Sequence, residues 1–222
     1  MVTTYRKVGV DITGIKKSHS AIGQIISSTH NLQKLAKVAH GFGHYAGIVE
    51  IPGNKFLATH TDGVGTKIII ANMLKKYDTI GIDCIAMNVN DMICVGATPI
   101  SFVDYIAANK NNQHVFKKVV KGLVNGARRA QVPIIGGETA IMPDLFSGNS
   151  FAMDLAGTVV GILSKKEMML GKSIKSGDAI IGVKSSGLHS NGYTLARNVL
   201  LSKYKLNSRI KGIGHLGSAM LK

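Results

Sequence analysis

TDGVGTK, at residues 61–67, is the stretch that indicates the fold and the chemistry of this 222-residue chain. It follows the apolar run at 56–58, which predicts a short strand. The stretch combines a carboxylate for a cation, bare glycine backbone that a phosphate can approach closely, and a lysine for the anion's charge. Its spacing does not match a Walker loop. It predicts a site for a metal-bound phosphate at the end of a strand.

Acidic residues are scarce, with 12 Asp and Glu against 27 Lys and Arg and a net charge of +15. A charge of this size admits a nucleic-acid interface. The lysines are scattered singly or in pairs, however, without the interleaved aromatic residues of a single-strand-binding groove. We therefore expect a solvated, lysine-rich surface and no nucleic-acid partner.

The sequence carries no sign of a membrane or secreted location. The N-terminus has no apolar signal core, and no apolar run approaches membrane-spanning length. Cys84 and Cys94 lie on one predicted helix, about 15 Å apart at 1.5 Å per residue, which is too far for a disulfide. Neither a CxxC pair nor histidines at metal-ligand spacing indicate zinc. We expect buried thiols, a reducing compartment and a cytoplasmic protein.

Strands and helices alternate along the chain, which predicts an α/β or α+β fold. The expected elements are a helix at 15–28, a glycine-rich loop at 40–47, a hairpin with strands at 48–51 and 56–59, a helix at 78–95 with an Asp78-Thr79 cap and Gly96 at its end, a strand at 101–107, an amphipathic helix at 115–130, strands at 132–135, 155–163 and 178–183, and a helix at 193–204.

A domain boundary is predicted near 164–171, where a charged cluster separates two predicted strands. One strand, a loop and a helix cannot bury a full second core. We therefore expect an N-terminal domain at 1–165 and the beginning of an incomplete second domain at 166–222.

The helix at 78–95 carries polar residues on one stripe of an otherwise apolar surface. Asp83, Asn90 and Asp91 share this stripe because positions i, i+7 and i+8 align on a helix. A solvent-facing stripe is the alternative, but it would normally carry Lys, Glu or Gln, which are absent after Asp78. These oxygen ligands, together with Asp62, predict a Mg²⁺ site in a cleft.

Two strand segments carry further candidates. Asp104 shares a strand side with Phe102 and Ile106, so its carboxylate needs a partner, a metal or a wet edge strand. GGETA at 136–140 follows a predicted strand end, where α/β sheets place ligand-binding loops, although a tight turn explains it equally well.

The segment HSNG at 189–192 lies between a predicted strand and a predicted helix. Ser190 or Asn191 is expected to cap that helix, whose free N–H groups then form an anion site. His189 is a candidate acid or base near neutral pH. A capping loop with an idle surface histidine is the alternative.

Taken together, these motifs resemble the phosphoribosylformylglycinamidine cyclo-ligases (aminoimidazole ribonucleotide synthetases) of purine biosynthesis. TDGVGTK, GGETA and SSGLHSNGY at 185–193 are the specific segments, and matches run in order through essentially the whole chain. The resemblance implies ATP-dependent closure of formylglycinamidine ribonucleotide to aminoimidazole ribonucleotide, with ADP and phosphate released. It also implies a two-domain α/β fold, a homodimer formed through the N-terminal sheets, and use of ATP and Mg²⁺.

The resemblance further implies roles for individual residues. The metal ligands would be Asp62, Asp83 and Asp91. The catalytic residues would be Lys67, Asp104, Glu138 and His189, and the substrate would contact Thr139, Ser190 and Asn191. ATP and its phosphates would lie at Gly9, Asp11, Gly41, Gly43, Gly63, Gly65, Thr66, Lys67 and Asn90.

The chain departs from the family pattern at Lys7, Val8, Ile141 and Asp144, and the family's second domain is much longer. We therefore expect a fragment. The alternatives are another ATP-using enzyme of the superfamily, of the formylglycinamidine ribonucleotide synthetase, thiamine-phosphate kinase or selenophosphate synthetase type, or an inactive remnant that binds nucleotides or RNA. GGETA and HSNG favour the cyclo-ligase.

Overall fold

The computed structural model describes residues 3–146 and 150–222, and its central feature is one mixed sheet. The strands of that sheet are β1 (Lys37–His40), β2 (Gly47–Ile51), β3 (Lys55–Gly63), β4 (Thr98–Ala108), β5 (Ile134–Ile141) and β6 (Met153–Leu163). Their spatial order is β1-β2-β3-β6-β4-β5. Strands β4 and β5 are parallel, and the other neighbouring pairs are antiparallel.

The helices of the described residues are α1 (Ile12–Ser27), α2 (Lys67–Leu74), α3 (Ile80–Cys94), α4 (Gln113–Ala130), α5 (Tyr193–Leu201) and α6 (Leu216–Met220). Short 3₁₀ turns lie at Arg6–Val8 and Pro143–Leu145, and a two-residue ribbon joins β7 (Arg209–Ile210) to β8 (Gly214–His215). Helices and a sheet in one chain confirm the expected α/β class. Within the described ranges, no helix is both long and apolar enough to cross a membrane.

One face of the sheet is covered by α3, which also packs along α4. Strand β6 shows why, because its residues alternate between buried and more exposed along its whole length. The α3–α4 crossing depends on glycine: a β-carbon on Gly81 would collide with the backbone of Leu123, and one on Gly122 with the carbonyl of Asp78. Two helix backbones in contact fix the position of α3 over the sheet.

Of the two motifs predicted to follow strands, TDGVGTK begins inside β3 and GGETA lies wholly inside β5. Strand β3 runs to Gly63 because β6 pairs with it that far, matching Asp62 with Gly157. Strand β5 begins at Ile134 and contains GGETA, since its pairing with β4 continues to Ile141. The strand ends were placed too early because glycine and polar residues resemble loop residues when their strand neighbours are unknown.

The predicted strand at 178–183 is wrong, and described residues 164–192 contain neither helix nor strand. Ile180 is 99% exposed, because no neighbouring strand is there to pair with this apolar segment. The residues that follow it nevertheless join the main core, where Tyr193 and Met220 are buried. The division at 165/166 stays a prediction.

Several expectations about helices are wrong. Neither Asp78 nor Thr79 caps α3 through its side chain, although Gly96 ends the helix with the expected positive φ. On the amphipathic helix α4, whose apolar residues are expected to face inward, Val119 and Leu123 are buried but Val120 and Val124 are exposed. Small differences in helix phase decide which apolar residues reach the core.

Exposure also differs from expectation in α1 and at one cysteine. The isoleucines of α1 form no buried face, and none of its residues is buried. Both cysteines are free, as expected, but Cys94 is exposed while Cys84 is buried.

Candidate functional site

The stretch TDGVGTK passes from strand to turn to helix. Its first three residues end β3, and Val64 then donates a backbone hydrogen bond of 2.8 Å to Leu155 of β6. Gly65 takes φ +65°, which favours glycine, and Lys67 is the first residue of α2. The two halves of the motif therefore face different surroundings.

Asn88 fixes the position of Asp62. It is fully buried on α3, accepts from the backbone N–H of Asp62 at 3.0 Å and donates to its carbonyl at 3.2 Å. It also donates to the carbonyl of Cys84 at 2.9 Å. The amide thus bridges helix and strand, so Asp62 is held against α3.

Three possible cation ligands converge beside this bridge. One ligand atom each from His60, Asp62 and Asp91 lies within 4.8 Å of the others. His60 Nε2 is 3.4 Å from Asp91 Oδ2, without hydrogen-bond geometry, and it is buried with no hydrogen-bond partner among residues 3–146 and 150–222. Burial raises the pKa of Asp91. The charge of His60 opposes this rise, and the charge of Asp62 adds to it. We refer to these three residues as the cation cluster.

In the second half of the TDGVGTK motif, Lys67 is enclosed by other residues. Lys67 is fully buried, and its Nζ donates to Asp83 Oδ1 at 2.9 Å and to the carbonyl of Leu188 at 3.2 Å. The ring of Tyr193 lies 5.5 Å from the same Nζ. Burial raises the pKa of Asp83, although Lys67 and His189 oppose the shift. Asp83 is thus paired with a lysine and lies outside the cation cluster.

Asn90 is exposed on α3. The buried stripe of the helix includes Cys84, Asn88 and Met92, each one turn from the next, and Asn90 lies on another side. The amide that contacts Asp62 is that of Asn88, and a role of Asn90 in nucleotide binding stays a prediction.

Asp104 lies in the same row of the sheet as Asp62. Both are paired with Gly157 of the intervening strand β6, and Asp104 is paired with Gly137 on its other side. A β-carbon on Gly137 would collide with the Asp104 carboxylate, and one on Gly157 with the ring of Phe102. Strand β4 is not an edge strand. Burial raises the pKa of Asp104.

Several carboxylates surround this end of α3. The pKa of the Cys84 thiol is raised by its burial first, and then by the charges of Asp104, Asp62, Asp154 and Asp83. Burial and these charges therefore favour the protonated form of the Cys84 thiol.

The other residues predicted to contact the substrate lie on β5 and in the segment that precedes α5. Glu138 and Thr139 are exposed on β5 at the edge of the sheet. His189 is exposed, with its Nε2 3.2 Å from Ser185 Oγ. The expected cap is wrong: Gly192 is the N-cap of α5, and neither Ser190 nor Asn191 bonds to the helix end. Ser190 is buried, and its Oγ has no hydrogen-bond partner in the described part of the chain.

The segment around 188–194 covers the second half of the motif. Besides the contact of Leu188 with Lys67, Thr66 and Thr194 join their hydroxyls at 3.0 Å. Gly63 donates its N–H to the carboxylate of Asp62 at 2.7 Å.

The N-terminal candidates lie at the start of α1 and in the loop at 40–47. Gly9 ends the first 3₁₀ turn, and Asp11 caps α1 by accepting from Gly14 N–H at 3.1 Å. Gly41 and Gly43 line a cavity of about 1120 Å³ that also reaches His60. The glycine-rich loop and one member of the cation cluster therefore border the same space.

His60 and Asn88 were not predicted as site residues, although the sequence pattern around each of them indicates its position. In an alternating strand, position 60 lies on the same side as position 62, so His60 accompanies Asp62. Asn88 is one helical turn from Cys84 and sits among apolar residues, where a buried amide needs specific partners. The role of His60 was hidden because its partner Asp91 is distant in the chain.

Comparison with known proteins identifies relatives over nearly the whole chain. The family model described as AIR synthase related protein, N-terminal domain, matches residues 43–163. A phosphoribosylformylglycinamidine cyclo-ligase of Thermococcus kodakarensis is 47% identical over 211 residues, covering 94% of this chain and 62% of that protein. The Pyrococcus furiosus protein of the same name is 49% identical over 208 residues, covering 92% and 60%.

A solved structure, that of tt0281 from Thermus thermophilus, is 17% identical with a TM-score of 0.49, covering 63% of this chain and 43% of that one. The chain spans about three fifths of the length of the curated relatives that it matches.

Proposed function

The chain belongs to the family of AIR synthase related proteins, and from that premise we propose that it is the ATP-binding part of a phosphoribosylformylglycinamidine cyclo-ligase. The reaction would be the ATP-dependent cyclisation of formylglycinamidine ribonucleotide to aminoimidazole ribonucleotide, with ADP and phosphate released. The formyl oxygen is phosphorylated, the amidine nitrogen attacks the activated carbon, and phosphate leaves as the ring closes. The names and identity of the relatives support this proposal.

The observation that carries the proposal is the convergence of Asp62 and Asp91 on one face of the sheet. Phosphoryl transfer depends on cation ligands and on positioning more than on a covalent nucleophile. Two carboxylates beside a bare glycine turn suit a Mg²⁺–nucleotide complex. The Nε2 of His60 lies 3.4 Å from Asp91 Oδ2 without a hydrogen bond to it, so a third donor atom borders the two carboxylates.

Mg²⁺, when bound, supplies positive charge to the phosphate oxygens of ATP and offsets the charge that develops during transfer. In the proposed site, Asp62 and Asp91 hold the cation, and Asn88 keeps Asp62 in place. Gly63 and Gly65 leave room for phosphate. We place Asp104, Glu138 and His189 on the substrate side. Contact between Lys67 and phosphate requires the Leu188 segment to move, because Leu188 occupies one of its bonds.

A homodimer is part of the same proposal. The sheet face opposite α3 exposes Tyr105, which is 40% accessible, and Ile15 and Ile22 of α1 are also exposed. A second copy packed on this side would bury apolar surface that is now in water. A cytoplasmic location belongs to the proposal as well, because free Cys84 and Cys94 suit a reducing compartment.

Phosphate release from ATP, measured with and without formylglycinamidine ribonucleotide, tests the proposed function. The assay compares this chain with a version that carries a complete second domain. We expect release that depends on the ribonucleotide in the longer chain and that falls at least 100-fold in Asp62→Asn, with the exposed Asp144→Asn as the matched control.

Ribonucleotide-independent release, or release with a different acceptor, would indicate another member of the superfamily. Absence of any release from the longer chain, together with RNA binding that falls steeply with salt, would identify an inactive remnant instead.

A further inference from the structure

His60 offers the cation cluster a nitrogen ligand that the carboxylates lack. It lies on β3 two residues before Asp62, on the side that faces α3, and its side chain is only 15% exposed. Its Nε2 approaches Asp91 to 3.4 Å but forms no hydrogen bond with it. A buried imidazole nitrogen without a partner is costly, and a bound cation would remove that cost.

The geometry admits a single cation. Ligand atoms at about 2.0–2.3 Å from a metal ion lie no more than about 4.6 Å from one another across the ion. The atoms of His60, Asp62 and Asp91 lie within 4.8 Å before any ion has drawn them together. One nitrogen and two oxygens thus form half of an octahedral shell and leave open positions for phosphate oxygens.

The lysine of the motif does not neutralise these carboxylates. Lys67 is engaged with Asp83 and with the carbonyl of Leu188. The Asp62 carboxylate accepts from the N–H of the adjacent Gly63, which carries no full charge. Among the described residues, His60 is therefore the only basic side chain that forms an ion pair with the carboxylates of the cluster.

Ligand chemistry then selects the metal. Mg²⁺ prefers oxygen ligands and several waters, whereas imidazole favours transition-metal ions. Mn²⁺ accepts both carboxylates and imidazole, and it binds nitrogen-containing sites more weakly than the later ions of its row. We propose that His60 is a direct ligand that makes this site prefer Mn²⁺ over Mg²⁺. The inference rests on the cation site of the proposed function, but not on the reaction.

Binding of Mn²⁺ to the protein without nucleotide tests this directly. Free Mn²⁺ is followed by its electron paramagnetic resonance signal, and Mg²⁺ affinity by competition. We expect Mn²⁺ to bind at least 10-fold more tightly than Mg²⁺. In His60→Asn the Mn²⁺ affinity should fall 10-fold or more while Mg²⁺ affinity changes less than 3-fold. The matched control His114→Asn, at an exposed position on α4, should leave both unchanged.

Electron spin echo modulation of Mn²⁺ in the unmodified protein keeps the test independent of variant folding. A directly bound imidazole gives ¹⁴N modulation, and its absence would overturn the proposal. So would an unchanged Mn²⁺/Mg²⁺ ratio in a folded His60→Asn variant, or a protein that binds neither ion. A protein with the nitrogen signal but no cyclo-ligase activity would overturn only the proposed function.

Discussion

The two ends of the polar stripe on α3 have opposite character. At the N-terminal end, Asp83 is paired with the buried Lys67 and covered by the segment around Leu188. Two turns further on, Asp91 faces His60 and Asp62, with an imidazole nitrogen unpartnered. Sequence alone makes these two aspartates equivalent, because they share a helical face.

The comparison shows that the role of a carboxylate depends on which basic side chain the fold places beside it. Lys67 and Asp62 belong to one motif, but the chain turns at Gly65. Lys67 therefore lies beside Asp83 at one end of the stripe, and Asp62 lies beside Asp91 at the other end. The closed end contains a buried ion pair, and the open end is where we propose that a cation binds. The following variants test that separation, from the largest expected effect to the smallest.

Lys67→Met should have the largest effect, a loss of about 3–5 kcal/mol of unfolding free energy, because it leaves Asp83 charged and buried without a partner. Urea denaturation measures it. Lys121→Met, on the exposed side of α4, is the matched control and should change stability by less than about 0.5 kcal/mol. Adding Asp83→Leu to Lys67→Met should restore much of the loss. A stable single variant would show that the closed end has no structural role.

Asn88→Ala should cost about 2 kcal/mol, because it leaves the backbone N–H and carbonyl of Asp62 without their partner. It should also weaken cation binding at the open end, since Asp62 is no longer fixed. Asn90→Ala, two residues away and exposed, is the control for stability. Equal losses in the two variants would contradict the bridging role of Asn88.

Asp104→Asn should have the smallest effect, a gain in stability that depends on pH. Because burial raises the pKa of Asp104 in the folded state, the folded protein binds the proton more tightly than the unfolded chain. The charged carboxyl therefore costs stability above its folded pKa, and this cost disappears below its unfolded pKa, near about 4.

Melting temperatures of Asp104→Asn and the unmodified protein should thus coincide at low pH and diverge as pH rises. Asp144→Asn, at an exposed position, should show no such divergence. A gain for Asp104→Asn that is equal at all pH values would point to packing rather than to charge.

Sequence reasoning reached the fold class, the hairpin, the two long helices and the acids of the cation cluster, because these depend on local periodicity and on distinctive residue types. It misplaced the ends of β3 and β5, since strand length there depends on pairing with β6 and β4. The strand expected at 178–183 failed for the same reason, as an apolar run without a neighbour forms no ladder.

The geometry of the candidate site was predicted only in part. Asp62 and Asp91 could be linked from their motif and helix, but the partner of Lys67 could not, because the pair with Asp83 depends on how α2 and α3 approach each other. Likewise, His60 becomes a candidate ligand only because the fold places it beside Asp91, which is 31 residues away in sequence. Residue types predict what a side chain can do, while the fold decides which partner it meets.

One row of the sheet fixes the distance between two aspartates. It contains Asp62, Gly157, Asp104 and Gly137. Adjacent strands are about 4.8 Å apart, so the backbones of the two aspartates are separated by about 10 Å. The carboxylate of Asp104 lies against Gly137, on the side away from Asp62. A single ion cannot bridge that gap. The ring of Phe102 occupies the space over Gly157 between them, so Asp62 and Asp104 form two separate acidic positions, divided by packed side chains as well as by the width of β6.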